Sequence, residues 1–249
     1  MPALVEPGAA ATAELAEMTD IQRRPPAIAQ QRFAARRAEF TALDLAKRFE
    51  RIHETNLWGA DTSVSGVGSE LDATAAIRER LPGLLKELGV RSLLDAPCGD
   101  YRWMASLDLD LDRYVGIDIV PSIIEALQQR YRDDAHRSFL ISDLTCEPLP
   151  HCDVILSRDC LVHFSFRTLK HAVRNLKASG ATWLLTTTFP ELERNEDIED
   201  ADWRPLNFEH PPFRWPAPLE VINERCTEAD GAYADKSLAF WRLGDLPIA

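Results

Sequence analysis

Two acidic residues stand at the ends of short apolar segments, in a pattern typical of nucleoside-binding sites. Asp95 closes the apolar run before Ala-Pro-Cys-Gly-Asp100, and Asp118 closes Tyr-Val-Gly-Ile at 114–117. Each run has the length of a buried strand, and Pro97 and Gly99 break the first run into a turn. Asp118 lies 23 positions after Asp95, close to the ~20-residue offset at which doubly wound nucleotide-binding folds place the acid that binds the ribose. The two carboxylates therefore predict a nucleoside ligand.

A second group of chemically capable side chains follows the apolar run at residues 152–156. The sequence there continues Ser-Arg-Asp-Cys-Leu-Val-His163, so Arg158, Asp159 and His163 come just after another predicted strand. An imidazole titrates near neutral pH and can accept a hydroxyl proton, which makes His163 a candidate general base. The alternative is that His163 only shapes a pocket. Arg158 would orient an acidic group or pair with Asp159.

The same region offers oxygen ligands for a metal ion. His163 with Asp159, Asn223 and Glu224 could form a magnesium or calcium site if the fold brought them together. The other histidines are scattered along the chain and show no metal-ligand spacing. We therefore predict no metal.

The composition argues against several classes of function. The chain has 249 residues, a hydrophobic fraction of 45% and a formal net charge of −12, and this length fits one α/β domain with an appendage. A surface for nucleic acid would need an excess of Lys and Arg, so we expect neither DNA nor RNA as substrate. The five cysteines form no Cys-x-x-Cys pair, and no apolar run reaches the ~18 residues of a membrane span. We expect a cytoplasmic protein with reduced thiols and no membrane contact.

The hydrophobic pattern divides the chain into three parts. Residues 1–26, rich in Ala, Glu and Pro, predict a flexible tail, and residues 27–58 predict a helical extension with one apolar face. In residues 59–249 apolar strands alternate with helices, which predicts a parallel sheet whose ligand lies beyond the strand C-termini. Strands are expected at 91–95, 113–118, 138–141, 152–156, 182–188, 220–223 and 237–243, with helices beginning near residues 101, 121 and 166.

Four short motifs carry the acids and the histidine described above. They are Leu-Asp-Ala-Pro-Cys-Gly-Asp at 94–100, Gly-Ile-Asp at 116–118, Ser-Asp-Leu at 142–144 and Ser-Arg-Asp-Cys-Leu-Val-His at 157–163. Their order and spacing resemble the class I S-adenosylmethionine-dependent methyltransferases over about residues 56–249. The resemblance implies a Rossmann-like α/β fold, with a doubly wound, seven-stranded, mostly parallel sheet and a hairpin at its edge. The first motif departs from the family's Asp-x-Gly-x-Gly-x-Gly, because Pro97 replaces the first glycine and Tyr101 the last.

The resemblance also implies a methyl donor, S-adenosylmethionine, and a role for each motif. It places Asp118 at the ribose hydroxyls, the loop with Asp95 and Gly99 beneath the methionine part, and Asp143 at the adenine. The segment after strand four would face the place where donor and acceptor meet. The expected cofactor-binding residues are Asp95, Pro97, Gly99, Asp118, Ile119, Asp143, Leu144 and Arg158, and the expected catalytic residues are His163, Asp159 and Arg158.

A long irregular segment at about residues 190–218 is expected to form a substrate lid. It is acidic and then rich in Pro and aromatic residues, and a connection of this length in a compact domain is usually functional. Its aromatic and polar groups suit a polar, ring-bearing acceptor, with packing onto the sheet as the alternative role. The acidic residues 196–202 could attract a cationic amine or simply face solvent. The candidate substrate-binding residues are Trp203, Arg204, Asn207, Phe213, Asn223 and Glu224.

Together these observations predict a methyltransferase for a small polar metabolite, with a sugar or natural-product hydroxyl favoured because of His163. One alternative is an amine or guanidine N-methyltransferase, and another is a methyltransferase-like module that binds without catalysis. A dehydrogenase fits less well, because Pro97 and Tyr101 depart from the Gly-x-Gly-x-x-Gly pattern. The expected partner is the small-molecule acceptor, and a homodimer is compatible with the sequence.

Overall fold

A central seven-stranded sheet organises the protein, whose computed structural model describes residues 24–248. Strands β1 to β5 are parallel, and β7 runs antiparallel to both β5 and β6. The spatial order is β3-β2-β1-β4-β5-β7-β6. The predicted doubly wound, mostly parallel sheet with an edge hairpin is therefore confirmed. The strands are β1 Ser92–Asp95, β2 Arg113–Asp118, β3 Arg137–Ile141, β4 Val154–Ser157, β5 Trp183–Thr188, β6 Glu220–Asn223 and β7 Ser237–Arg242.

The strand order brings the functional motifs together at the carboxyl ends of the strands. β1 pairs with β2 on one side and with β4 on the other, so the chain reverses its winding direction at β1. Ligands of doubly wound folds bind at such a switch point, beyond the carboxyl ends of the strands. Asp95 pairs with Gly116 in β2, and β2 continues for two more residues to Asp118. Both acids are therefore brought to the switch point.

Five helices accompany the sheet within residues 24–248. They are α1 Ile28–Arg36, α2 Leu45–Glu54, α3 Ala75–Glu87, α4 Pro121–Arg130 and α5 Phe166–Ala178. Short 3-10 turns occupy Arg37–Glu39, Val67–Ser69, Met104–Ser106, Leu161–His163 and Leu243–Asp245, and one irregular helical turn spans Glu228–Gly231.

Local side-chain chemistry sets where two of these helices begin. The Ser165 hydroxyl accepts a hydrogen bond from the amide of Thr168 at 3.2 Å and so caps α5, as the sequence predicts. Asp44 caps α2 in the same way, through the amide of Lys47 at 2.9 Å. α1 and α2 lie within the predicted helical extension, whereas the proposed tail falls almost entirely in residues 1–23, outside the described residues. No helix in the described range has the length and apolar character needed to cross a membrane.

The segment after β1 differs from the prediction of a helix starting at residue 101. Tyr101 adopts a left-handed backbone conformation with φ of 60°, and only the 3-10 turn Met104–Ser106 follows. The reason is an aromatic cluster: the buried Tyr101 ring packs against Tyr114 and Phe139, with ring centroids 4.8 and 5.2 Å apart. Tyr101, which stands at the last glycine position of the Asp-x-Gly-x-Gly-x-Gly motif, therefore holds the turn in place through its buried ring.

The irregular segment after β5 is folded onto the domain. Its aromatic residues Phe208, Phe213 and Trp215 are buried, and the Phe208 and Trp215 rings stack at 4.1 Å. Part of the acidic run 196–202 has a structural role. The carboxylates of Asp197 and Asp200 accept hydrogen bonds from the amides of Phe166 and Ser165, where negative charge stabilises a helix N-terminus.

Candidate active site

A cleft opens at the carboxyl ends of β1, β2 and β4. All eight expected cofactor-binding residues line it, and so do Asp159 and His163. Apolar side chains from α2 and from the loops after β2 and β3 complete its walls. The four motifs, widely separated in the sequence, therefore form one site. The predicted residues on its surface are Asp95, Pro97, Gly99, Asp118, Ile119, Asp143, Leu144, Arg158, Asp159 and His163.

Asp118 organises the loop on which the cleft is built. Its carboxylate accepts hydrogen bonds from the amide of Gly99 at 3.1 Å and from that of Val120 at 3.0 Å. Burial raises the pKa of Asp118 to about 6, although the two amide donors oppose the rise. A buried carboxylate at this strand end keeps acceptor capacity for a ligand hydroxyl.

Asp95 is the second buried acid of the cleft. The hydroxyl of Tyr114 donates a hydrogen bond to it at 2.6 Å. Burial raises the pKa of Asp95 to about 7; Tyr114 opposes this, and the neighbouring Asp118 charge adds to it. The pair would favour a ligand with positive charge, because such a charge relieves both carboxylates.

A loop between α2 and α3 closes over the turn that follows β1. The Ser65 hydroxyl accepts a hydrogen bond from the amide of Asp100 at 2.9 Å, and the Ser63 hydroxyl donates one to the Asp100 carboxylate at 2.9 Å. Gly99 lies directly below, with φ of 53°, and a Cβ there would stand 2.3 Å from the Ser65 Oγ. Only glycine fits this contact, both for its backbone conformation and for its size.

Replacing Gly99 by Ala should therefore disturb the cleft beyond the cost of its backbone conformation. Gly89 is the matched control, because its φ is 66° but a Cβ there meets nothing within 4 Å. We expect both variants to lose about 1 kcal/mol of unfolding free energy from the left-handed backbone. Only Gly99→Ala should also weaken S-adenosylhomocysteine binding, by about tenfold, or about 1.4 kcal/mol. Equal affinities in the two variants by calorimetry would show that the contact with Ser65 is unimportant.

His163 lies at the inner end of the cleft. Its Nδ1 is 2.8 Å from the backbone oxygen of Asp202, so Nδ1 donates and Nε2 is the acceptor of the neutral ring. Burial lowers the pKa of His163 to about 4, although the Asp202 carbonyl and the Asp159 charge oppose this. The Trp58 ring stacks on the imidazole at 4.8 Å. A neutral, oriented imidazole is thus available at neutral pH.

Beside His163 lies a buried network of two cations and two carboxylates. Arg158 forms a bidentate pair with Glu224, at 3.2 and 2.6 Å, and Lys236 Nζ is 2.7 Å from Asp159 and 3.4 Å from Glu224. Burial alone would raise the pKa of Asp159, yet Arg158 and Lys236 hold it well below its ordinary value. The four charges sum to zero, which is the condition for burying them.

A second cavity adjoins the cleft. The two share Trp58, Ser65, Asp159 and His163, so they meet at the imidazole. The residues that line only the second cavity include Ala27, Ile28 and Ala29 at the start of α1, the loop 66–68, Phe189, Trp203, Glu228, Tyr233 and Lys236. Within residues 24–248, no group of three or more His, Cys, Asp or Glu side chains is arranged to hold a metal ion.

A family model described as a methyltransferase domain matches residues 94–184, the stretch from β1 to β5 that carries the cleft. The chain contains a methyltransferase domain. Comparison of the sequence with curated proteins gave no match.

Two solved methyltransferase structures share the fold of this chain, and a third matches it more weakly. The N-methyltransferase NodS from Bradyrhizobium japonicum WM9, in complex with S-adenosyl-L-homocysteine, is 17% identical, with 80% of this chain and 98% of that chain covered and a TM-score of 0.55. The Burkholderia thailandensis 1,6-didemethyltoxoflavin-N1-methyltransferase, with 1,6-didemethyltoxoflavin and S-adenosylhomocysteine bound, is 16% identical over 88% and 92% of the two chains, with a TM-score of 0.54. The methyltransferase domain of bacterial CtHen1 matches at 16% identity and a TM-score of 0.42 over 47% of this chain, and only 66% of that domain is spanned. The predicted fold, that of the class I S-adenosylmethionine-dependent methyltransferases, is confirmed, and the match of residues 94–184 to a methyltransferase domain agrees with the predicted family.

The candidate substrate-binding residues take different positions from those expected. Of the six, only Trp203 lines a cavity at the site. The buried Arg204 donates hydrogen bonds to the backbone oxygens of residues 161, 162 and 164, and Asn207 to those of 190 and 192. Phe213 packs on Phe208 at 5.1 Å. Arg204, Asn207 and Phe213 therefore hold the segment in place.

The remaining two candidates lie at the sheet edge. Asn223 is exposed on β6 and donates a hydrogen bond to the backbone oxygen of Ala234, whereas Glu224 is buried against Arg158. Residues that the sequence did not single out supply the walls instead: Phe49 and Glu228. Phe49 follows Leu45 by one helical turn, so its periodicity indicated a buried helix face, but nothing local indicated which surface covers it.

Proposed function

We propose that the protein transfers a methyl group from S-adenosylmethionine to a hydroxyl of a small polar metabolite. The observation that carries the proposal is the meeting of two cavities at His163. The cleft at β1 and β2 would hold the donor, and the second cavity the acceptor, so that donor and acceptor are brought together at the imidazole. Cavities at the switch point of an open α/β sheet are the usual ligand sites of such folds.

The residues of the cleft fit a sulfonium nucleoside. Asp118 would accept hydrogen bonds from the ribose hydroxyls, and Asp95, Asp118 and Asp143 would provide negative charge, while Arg158 is neutralised by Glu224. The apolar Ile119, Val120 and Leu144 line the cleft near Asp143 and would cover a flat base. S-adenosylmethionine supplies an already activated methyl group, so the protein's task is to orient the acceptor, exclude water and remove a proton.

His163 would remove that proton. When a hydroxyl is methylated, a carbon–oxygen bond forms, the carbon–sulfur bond breaks with its electron pair left on sulfur, and the hydroxyl proton passes to Nε2. The methylated oxygen is very acidic before it loses its proton, so even a base with a depressed pKa suffices. Asp202 fixes the tautomer and Trp58 the ring plane, which gives the imidazole one orientation.

Nitrogen acceptors are a second candidate, since the NodS and toxoflavin enzymes are N-methyltransferases by name. Two carboxylates of the acidic run that favoured an amine in the sequence, Asp197 and Asp200, instead accept hydrogen bonds at the N-terminus of α5. A non-catalytic module would have no need for a second cavity with an oriented imidazole. All five cysteines are free, which supports the proposed location in a reducing cytoplasm.

Binding of the donor's product to an Asp118 variant tests the proposal. We expect Asp118→Ala to weaken S-adenosylhomocysteine binding by about 10- to 100-fold, because hydrogen bonds to a charged group contribute about 1.5–3 kcal/mol. Asp133→Ala, at an exposed acid, should bind as the wild type does. Isothermal titration calorimetry gives the affinities, and thermal melting checks the fold. An unchanged affinity in a folded Asp118→Ala would refute the assignment, and absence of product on a panel of hydroxyl and amine acceptors would refute the activity.

A further inference from the structure

Glu228 is the one acidic group of the second cavity that lacks a cation. Its half-buried side chain lines the cavity beside Trp58, Trp203 and Lys236. Among residues 24–248 it forms no ion pair within 4 Å, since the carboxylates that pair with Lys236 are Asp159 and Glu224. Burial raises the pKa of Glu228; Lys236 acts against this, and Asp159 adds to it. A carboxylate so placed is stabilised by any cation that enters the cavity.

The other charges around the second cavity cancel. Arg158 and Lys236 balance Asp159 and Glu224 within the buried network. Arg24, which lies against the rings of Phe189 and Tyr233, forms a bidentate pair with Asp235, at 2.5 and 2.9 Å. His163 is neutral at neutral pH because its pKa is depressed. Glu228 therefore leaves the cavity with one net negative charge.

The apolar walls are also suited to a cation. Aromatic rings attract positive charge through their faces, most strongly tryptophan. The Arg24 guanidinium already lies 5.8 Å from the Phe189 ring centroid and 5.7 Å from that of Tyr233. Trp58 and Trp203 are therefore the rings available to a ligand, on the same cavity as Glu228.

We propose that Glu228 makes the second cavity selective for an acceptor that carries one positive charge, such as a protonated amine on a ring-bearing alcohol. This inference rests on the proposed function and adds the charge of the acceptor to it. The charged group and the methylated group need not be the same, because Glu228 would hold the ammonium while His163 faces the hydroxyl.

Three small probes of one shape and different charge test this proposal: benzylammonium, benzyl alcohol and benzoate. Their binding to the full-length protein saturated with S-adenosylhomocysteine is measured by ligand-observed NMR at pH 7.5. We expect benzylammonium to bind at least tenfold more tightly than benzyl alcohol, and benzoate to bind most weakly. In Glu228→Gln, which keeps the shape of the side chain, the preference should fall below threefold. Glu193→Gln, at an exposed acid of the neighbouring segment, should keep it.

Several outcomes would overturn the proposal. They are equal binding of the charged and neutral probes, binding of none of the three, or a preference that persists in a folded Glu228→Gln. Calorimetry with S-adenosylhomocysteine distinguishes an error in the role of Glu228 from an error in the proposed function. Wild-type protein that binds the nucleoside but shows no preference for the cation rejects only the role of Glu228, whereas protein that does not bind the nucleoside rejects both.

Discussion

Replacing His163 by Ala is expected to lower kcat by about 100- to 10,000-fold, the usual contribution of a positioned general base. The affinity for S-adenosylhomocysteine should change far less, because the carboxylates that would hold the nucleoside lie on β1 and β2. His171→Ala, at an exposed histidine of α5, is the matched control and should keep wild-type turnover. Steady-state kinetics with the best hydroxyl acceptor of the panel measures the effect. Turnover within threefold of wild type would remove His163 from the mechanism.

The pH dependence gives an independent readout of His163. Its pKa is lowered to about 4, so the imidazole is neutral, and able to accept a proton, at all pH values above this. With donor and acceptor both saturating, kcat should therefore be lost as the pH falls through about 4, and not near the ordinary histidine pKa of about 6.5. The pKa values of Asp95 and Asp118 are raised to about 7 and about 6, so their protonation is expected to weaken donor binding and to act on kcat/KM instead. A fall in saturated kcat near pH 6.5 that persists in His171→Ala would contradict the role of a neutral His163 as the base.

Replacing Glu224 by Ala is expected to lower the free energy of unfolding by about 3–5 kcal/mol. The change removes the bidentate partner of Arg158 and leaves Asp159 as the one carboxylate between two buried cations, at 3.2 Å from Arg158 and 2.7 Å from Lys236. An uncompensated charge in a buried site is strongly destabilising. The side chains of Arg158 and Glu224 are only 4% and 2% exposed. Urea unfolding at pH 7 measures the loss. Donor binding should also weaken, because Arg158 lines the cleft.

An exposed ion pair provides the contrast for Glu224. Glu79 lies 3.8 Å from Arg225, and their side chains are 73% and 76% exposed. Glu79→Ala should cost no more than about 0.5 kcal/mol, since solvent and salt screen such pairs. Similar losses in both variants would mean that the buried network contributes no more than a surface pair, and that Asp159 alone compensates Arg158.

The donor side of the site could be predicted from the sequence because its residues are set by local rules. A strand that ends in an acid and a turn delivers that acid to the carboxyl edge of a parallel sheet, wherever the rest of the chain lies. Asp95, Asp118 and Asp143 are of this kind, and all three line the cleft. The N-cap at Ser165 and the strand limits at residues 113–118 and 220–223 are local in the same sense.

The acceptor side could not be predicted, because distant segments assemble it. Arg158 and Glu224 are separated by 66 positions and Asp159 and Lys236 by 77, so no spacing rule connects them. Arg204 and Asn207 were expected at the substrate because polar residues in an irregular segment resemble binding groups. In the structure they satisfy the backbone oxygens that such a segment cannot pair with itself, which is the main physical requirement of a buried loop.

The wall shared by the two cavities bears on the order in which donor and acceptor bind. Trp58 and Ser65 belong to a single stretch of chain that is fastened to the turn after β1 through the backbone of Asp100. A displacement of that stretch would open both cavities to solvent at the same time. A donor bound in the cleft would hold this stretch in place before the acceptor enters the second cavity, so we expect ordered binding with the donor first.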